Sequence, residues 1–183
     1  MTREEILRTA FSAVTAGADA VLTSRGTNTV RMLAHEQIPV MGHLGFVPRK
    51  STWVGSVRAI GKTAAEALEL WDRFRRLEDA GAFAVECEII AAPVMAEIDR
   101  CTSLVTVSLG SGADADVIFL FTSDICGDAG RRPRHARAWG RPGRQASGRA
   151  RRTRARSDPV PVRCEIGSVS RRSGMHRYTR RRT

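Results

Sequence analysis

The sequence predicts an α/β fold: a partial (β/α)8 TIM barrel with about five parallel strands and outer helices. One reason is a repeated unit, since a helix, the tripeptide Ala-Gly-Ala and a strand occur twice, with the tripeptides at residues 16–18 and 80–82. Parallel neighbours need crossover connections, so a repeated αβ unit favours parallel strands with helices outside. The other reason is length, because the 183 residues of the chain are fewer than the about 250 of a complete barrel.

Four segments carry apolar residues at helical spacing. The first begins at a capping box, in which Thr2 and Glu5 satisfy each other's backbone N–H groups, and Thr63 with Glu66 repeats this signal. Pro93 opens the last helix at its first turn. The predicted helices cover residues 2–17, 28–36, 63–77 and 93–100.

Short apolar runs predict strands centred near residues 19, 40, 85, 106 and 119. The loop at residues 46–61 is rich in glycine, serine and basic residues. Loops of about this length in compact α/β domains are usually functional, so we expect a lid or a binding segment. Residues 110–112, Gly-Ser-Gly, could let a backbone approach a ligand, but a simple turn is the favoured interpretation.

The strand that follows the second Ala-Gly-Ala is the centre of the prediction. Side chains alternate along a strand, so Glu86 and Glu88 point to one face. The other face receives Val85, Cys87 and Ile89. In a barrel of parallel strands, acids near the carboxyl end of a strand lie where active sites gather, and a partly desolvated carboxylate there can take a proton. The alternative is that the two acids meet solvent or an arginine.

Charge divides the chain in two. Residues 1–128 hold 12 Lys or Arg against 17 Asp or Glu, a net charge of −5, whereas residues 129–183 hold 18 Arg and two acids, a net charge of +16. We therefore predict a barrel domain at 1–128 and a basic low-complexity tail at 129–183. The tail is dominated by Pro, Gly, Arg, Ser and Ala, and such a segment buries too little apolar area to order itself, so disorder is expected.

The cysteines are scattered and form no C-x-x-C pair and no zinc-ligand spacing with the histidines. This usage fits a reducing compartment. The N-terminus has no apolar signal region, and no run of about 18 apolar residues occurs in the chain. We expect a cytoplasmic protein that does not associate with membranes.

Several motifs in sequence order resemble the ketopantoate (3-methyl-2-oxobutanoate) hydroxymethyltransferase family, which has the phosphoenolpyruvate mutase and isocitrate lyase type of barrel. The resemblance covers residues 1–128, with a faint continuation to residue 137. The motifs are Met-Gly-His-Leu-Gly at 41–45, Ala-Gly-Ala-Phe-Ala at 80–84, the strand with Glu88, Gly-Ser-Gly-Ala at 110–113, and Asp-Val at 116–117.

The resemblance implies that Glu88 is the general base that removes the C3 proton of a keto acid, 3-methyl-2-oxobutanoate. It further implies transfer of a hydroxymethyl unit from methylenetetrahydrofolate on the way to pantothenate, a magnesium ion that stabilises the enolate, and a homo-oligomer. His43 is a candidate substrate contact, and a histidine satisfied by neighbouring backbone is equally compatible with its position.

Two departures from the family pattern stand out. Where the family has a substrate-binding lysine and a glutamate near the metal, this chain has Leu22 and Ser24. The first three strands of the barrel, which supply the metal-binding aspartates, would precede Met1, so we expect an N-terminally truncated barrel and assign no metal ligand. The switch in charge after residue 128 suggests a tail that arose from a shifted reading frame.

Two other functions remain open. Leu22 and Ser24 favour an inactive paralogue that acts as an oligomerisation or regulatory module. The tail favours nonspecific binding of nucleic acid or other polyanions, because its arginines can neutralise phosphates. Aromatic residues are sparse in the tail, so sequence-specific binding is not expected.

Overall fold

A computed structural model of the chain describes residues 1–127, 135–136 and 138–139. The helices are Arg3–Thr15 (α1), Thr27–His35 (α2), Ser51–Val54 (α3), Ala64–Asp79 (α4), Ala92–Cys101 (α5) and Thr122–Cys126 (α6). The strands are Val21–Leu22 (β1), Val40–Gly45 (β2), Ala84–Glu88 (β3), Val105–Leu109 (β4) and Val117–Ile118 (β5). A short 3-10 turn at Pro48–Lys50 precedes α3.

The five strands form one sheet in the order β1-β2-β3-β4-β5, and every neighbouring pair is parallel. Helices connect β1 to β2, β2 to β3, and β3 to β4, as parallel neighbours require. Sheet order therefore follows chain order, with the helices as crossovers. This confirms the predicted α/β fold and is consistent with part of a TIM barrel.

The register of the central strands determines which side chains share a face. Residues Met41–Gly45 pair one by one with Ala84–Glu88, and these in turn pair with Val105–Leu109. Gly42 lies where α4 packs on the sheet, since an added Cβ would be 2.4 Å from Cδ2 of Leu77. A side chain at this position would force the helix away from the strand.

The apolar core lies between the sheet and its helices. Strand β3 contributes Val85 and Cys87, which are fully buried, and α4 contributes Leu70, Phe74 and Leu77. These helix positions are spaced three and four residues apart, which places them on one face of α4. Val85 and Cys87 therefore pack into the core, and the residues that alternate with them, Glu86 and Glu88, point to the opposite face of the sheet.

The first predicted capping box is confirmed. The Thr2 hydroxyl accepts from the backbone N–H of Glu5 at 3.2 Å, and the Glu5 carboxylate accepts from the backbone N–H of Thr2 at 2.6 Å. Two N–H groups that the first turn of a helix would leave unpaired are satisfied.

The second predicted capping box, formed by Thr63 and Glu66, makes only one of its two expected hydrogen bonds. Thr63 accepts from the backbone N–H of Glu66 at 3.2 Å, but the Glu66 carboxylate does not return to Thr63. It accepts instead from Arg58 at 2.7 Å and from the backbone N–H groups of Gly61 and Lys62. The hydrogen bond from Arg58 is the main cause that lowers the pKa of Glu66. A charged partner from the preceding loop therefore competes successfully for this carboxylate.

Other predictions change in detail. Ile89 does not continue β3 beside Val85 and Cys87, because it adopts φ +48° and turns the chain out of the strand. The 46–61 loop contains the 3-10 turn and α3, and β5 is only two residues long. The four predicted helices agree with the observed boundaries to within one or two residues.

Most of the tail, including the predicted disorder, lies outside the described residues. Of its described residues, Trp139 donates its backbone N–H to the Ile125 carbonyl at 2.8 Å. Among the helices in the described part of the chain, none has the length and apolar character needed to cross a membrane.

Candidate active site

Strands β2 and β3 bring three polar side chains together near the carboxyl end of the sheet. The parallel register places His43 opposite Glu86, and it places Gly45 opposite Glu88. Because Val85 and Cys87 face the helical core, the two acids alternate with them and point to the opposite face. Glu88 is the last residue of β3, so its carboxylate lies where parallel strands carry their functional groups.

The His43 ring lies between the two carboxylates. Its Nε2 is 2.9 Å from Oε2 of Glu88, and its Nδ1 is 3.4 Å from Oε2 of Glu86. Only a protonated imidazole can donate from both nitrogens at once, whereas a neutral ring donates to one of the two carboxylates. The side chains are only 11% exposed for His43 and 13% for each glutamate. The cluster is therefore largely shielded from water.

Burial raises the pKa of Glu88 above its ordinary value. The nearby His43 ring opposes this change of pKa through its charge and its hydrogen bond, whereas the negative charge of Glu86 adds to it. Burial is the largest of these effects. A carboxylate with a raised pKa is a stronger base than an exposed one, which suits proton abstraction.

The backbone around Glu88 is held from both neighbouring strands. The Glu88 carbonyl accepts from the backbone N–H of Phe46 at 2.7 Å, and the next N–H, that of Ile89, donates to the Leu109 carbonyl at 2.9 Å. Gly45 permits this close approach, because an added Cβ there would lie 2.2 Å from the Glu88 carbonyl oxygen. The final glycine of the Met-Gly-His-Leu-Gly motif is thus a steric requirement of the site.

The 46–61 loop is attached at both ends beside Glu88. At its start, Phe46 bonds to the Glu88 carbonyl, and near its end Ile60 donates to the Ile89 carbonyl at 2.9 Å and accepts from Ala91 at 2.9 Å. Trp53 projects from α3 within this loop and is 85% exposed. Because the 46–61 loop lies next to Glu88, it could act as the predicted lid or binding segment. That role stays a prediction.

The described residues offer no metal site. No group of three or more His, Cys, Asp or Glu among them could hold a metal ion. In the candidate site, both acids are engaged with His43. Leu22 on β1 pairs with Met41 and is 57% exposed, and the Ser24 carbonyl accepts from Arg49 at 2.6 Å. The residues present therefore do not fit the magnesium ion that the family resemblance implies.

Sequence reasoning anticipated part of this cluster. It selected Glu88 and His43, and the structure brings them into direct contact. The sequence also predicted that Glu86 lies on the same face as Glu88, but it did not predict the contact of Glu86 with His43. The missing information was the register between β2 and β3, which puts His43 beside Glu86 and which neither strand specifies by itself. The functional roles of Glu88 and His43 stay predictions.

Fold and site together define a barrel-type α/β protein with a carboxylate-imidazole cluster at the carboxyl end of its sheet. Comparison with known sequences gives the family: the family model described as ketopantoate hydroxymethyltransferase matches residues 1–153. The chain therefore belongs to the ketopantoate hydroxymethyltransferase family.

Individual relatives agree with this assignment. A 3-methyl-2-oxobutanoate hydroxymethyltransferase of Pyrobaculum islandicum is 32% identical over 139 residues, which are 74% of this chain and 53% of the relative. One from Hyperthermus butylicus is 40% identical over 129 residues, 69% of this chain and 44% of the relative. A 3-methyl-2-oxobutanoate hydroxymethyltransferase 2 of Bradyrhizobium diazoefficiens is 36% identical over 140 residues, 74% and 48% of the two chains. The chain spans about half the length of the curated relatives it matches.

Proposed function

We propose that the chain contributes the base of a hydroxymethyl transfer to 3-methyl-2-oxobutanoate, giving 2-dehydropantoate for pantothenate synthesis, with Glu88 as the general base. The observation that carries the proposal is the contact between Glu88 and His43 at the carboxyl end of β3, where both side chains are shielded from water. Family membership and the names of the relatives support the substrate, a branched keto acid.

In the proposed step, an oxygen of Glu88 takes the proton from C3 of the keto acid. The electron pair of the broken C–H bond moves into the C2–C3 bond, and the carbonyl electrons move onto the keto oxygen, which gives an enolate. The enolate carbon then bonds to the methylene carbon of methylenetetrahydrofolate, and the hydroxyl of a water molecule bonds to the same carbon, as the two C–N bonds of that carbon break. The proton held by Glu88 and the second proton of the water pass to the two nitrogens, and tetrahydrofolate leaves. The raised pKa of Glu88 favours the first of these events.

We propose that His43 contacts the substrate as well as Glu88. The His43 ring opposes the effect of burial on the pKa of Glu88 through its charge and its hydrogen bond, and a hydrogen-bond donor next to the base can also stabilise negative charge that develops on the keto acid. When Glu88 becomes protonated, its hydrogen bond with His43 weakens, and the ring becomes free to donate to a substrate oxygen.

Magnesium has no step in this proposal. The described residues do not fit such a site, because Glu86 and Glu88 are committed to His43 and no cluster of three or more metal-ligating residues occurs among them. For the whole protein, we propose a homo-oligomer that works in the cytoplasm, as the family resemblance implies. Size-exclusion chromatography with light scattering tests the first statement, and cell fractionation tests the second.

Proton exchange at C3 tests the proposed chemistry. Purified chain and 3-methyl-2-oxobutanoate in D2O, with and without added magnesium, should show loss of the C3 proton signal by NMR. Glu88→Gln should slow the exchange by about 10²–10⁴-fold, the usual contribution of a general base. The exposed Glu97, replaced by Gln, is the matched control and should leave the rate unchanged. Folded wild-type protein without exchange would favour the inactive paralogue suggested by Leu22 and Ser24.

The composition of residues 129–183 supports a second candidate function, nonspecific binding of polyanions. These residues carry 18 arginines and two acids. Binding to a labelled oligonucleotide should weaken steeply with salt, because released counterions drive such complexes. Deletion of 129–183 should abolish binding, and binding that survives the deletion would contradict the idea.

A further inference from the structure

The Gly-Ser-Gly turn after β4 places a buried hydroxyl beside the strand that carries Glu88. Ser111 is 1% exposed. Its Oγ donates to the Cys87 carbonyl at 2.6 Å and accepts from the backbone N–H of Ile90 at 2.8 Å. A single side chain therefore bonds to the backbone on both sides of Glu88.

The backbone between these two bonds is bent in an unusual way. Ile89 has φ +48°, in the left-handed region that a β-branched residue rarely adopts. Such a conformation persists only where the surrounding structure enforces it, and it is common at functional sites. The Ser111 hydroxyl is hydrogen-bonded to Cys87 before the bend and to Ile90 after it, so it bridges the bend.

Ser111 is itself held in a fixed position. Its backbone N–H donates to the Ser108 hydroxyl at 3.1 Å, and that hydroxyl donates to the Gly112 carbonyl at 2.8 Å. The flanking glycines have φ +76° at Gly110 and +104° at Gly112, conformations that other residues avoid. The glycines and Ser108 thus form a rigid turn that presents the Ser111 hydroxyl to β3, and this explains the motif better than close approach to a ligand.

We propose that Ser111 is a positioning residue that sets the direction of the Glu88 carboxylate by holding the backbone bend from Cys87 to Ile90. The inference rests on the proposed function, in which Glu88 removes the C3 proton. Ser111 acts through the backbone and does not touch the substrate. A base displaced by about 1 Å can lose about 10²-fold in rate, so a loosened bend would reduce turnover more than binding.

Kinetics of three variants of the full chain test this role. Ser111→Ala removes both bonds to β3 and should lower kcat for C3 exchange by about 10–100-fold, with KM within about threefold of wild type. Ser111→Cys keeps a weak donor and acceptor, so its kcat should lie between those of Ser111→Ala and wild type. Ser108→Ala is the comparison variant: it removes a buried hydroxyl that supports the turn but leaves both bonds from Ser111 to β3, so it should lower kcat clearly less than Ser111→Ala does.

A second measurement needs no activity. Burial raises the pKa of Glu88 in the wild type, and 13C NMR of the carboxyl group can follow this pKa in each variant. It should fall towards that of an ordinary glutamate in Ser111→Ala, and to a smaller extent in both Ser111→Cys and Ser108→Ala. If the wild type shows no C3 exchange, the proposed function fails and this titration alone decides the role of Ser111.

Either of two outcomes would overturn the inference. One is a Glu88 titration in Ser111→Ala that matches wild type, whether or not activity falls, because the carboxylate would then keep its place without the hydroxyl. The other is an equal change in Ser108→Ala, which would mean that the whole turn, and not the bridge from Ser111, holds the strand. If Ser111→Ala does not fold by circular dichroism, Ser111→Cys serves as the deciding variant in both measurements.

Discussion

The two faces of β3 are nearly equally shielded from water, yet they contain opposite chemistry. On the helix side, Val85 and Cys87 are fully buried among apolar side chains, and burial raises the pKa of the Cys87 thiol to about 12. On the other side, Glu86 and Glu88 are 13% exposed and both face His43. Burial raises a pKa on each face, but the charges near Cys87 are carboxylates, such as those of Asp99 and Asp116, which raise its pKa further, whereas the acids of the site side contact the His43 ring. A reactive group therefore depends on its neighbours and not on burial alone.

A charge introduced on the helix side of β3 should cause the largest loss of stability. Val85→Asp would place a carboxylate at a fully buried position whose core neighbours are apolar. We expect a loss of about 4 kcal/mol or more, which approaches the whole stability of a typical domain. Thermal unfolding followed by circular dichroism should show no cooperative transition at 25 °C or above.

The control for this variant lies on α4. Leu68 is 69% exposed, so Leu68→Asp introduces the same charge without burying it and should change stability by only about 0.5 kcal/mol. If Val85→Asp melted within a few degrees of wild type, the helix side of β3 would have to tolerate charge as the site side does, and the contrast between the faces would disappear.

A smaller loss is expected at the junction between β2 and β3. Gly45→Ala combines a positive φ of 90° with a Cβ only 2.2 Å from the Glu88 carbonyl oxygen. The strands must separate locally, which breaks the bond from Phe46 to Glu88. We expect a loss of about 2–4 kcal/mol in urea unfolding, of which the positive φ accounts for about 1–2 kcal/mol.

Gly55 provides the comparison that isolates the contact. It has a similar φ of +82°, but nothing lies within 4 Å of an added Cβ. Gly55→Ala should therefore show only the conformational part of the loss. Equal losses in the two variants would show that the close approach to Glu88 adds nothing and that Gly45 is needed only for its backbone angle.

Much of this architecture is encoded locally and was predictable. Thr2 and Glu5 mark the start of α1, and the apolar stripe of α4 with its following glycine marks the crossover to β3. Alternation along β3 was enough to separate the acids from the core residues. Glu88 and His43 were selected through short motifs that match the family.

The parts that failed depend on contacts distant in sequence. Arg58 captures Glu66 from a loop whose course no local pattern specifies. The pairing of His43 with Glu86 follows from the register between two strands separated by a loop and by α4. Ile89 leaves the strand at a point where Phe46, Ile60 and the Ser111 hydroxyl all bond to the backbone from segments distant in sequence. In each case, tertiary hydrogen bonds decide a conformation that local propensity leaves open.

The smallest expected effect concerns pH and the site side alone. Glu88 must be ionised to accept a proton, so C3 exchange should increase as pH rises through its pKa. Because burial raises that pKa, the acidic limb should lie above the pH at which an exposed glutamate ionises. Glu86 contributes to the raised pKa through its negative charge. Glu86→Gln should therefore move the acidic limb to lower pH, whereas Glu97→Gln should leave it in place.

The direction of this shift distinguishes two roles of Glu86. Its charge acts directly on Glu88, and its carboxylate also lies 3.4 Å from His43, the ring that lowers the pKa of Glu88. If the direct effect dominates, the limb moves to lower pH in Glu86→Gln. A limb that moves to higher pH would mean that the variant chiefly weakens the effect of His43 on Glu88, and Glu86 would then belong to the site as the group that holds the ring beside the base. Rates measured from pH 4 to 8 by NMR separate these results, because loss of a cation and loss of an anion shift the ionisation of Glu88 in opposite directions.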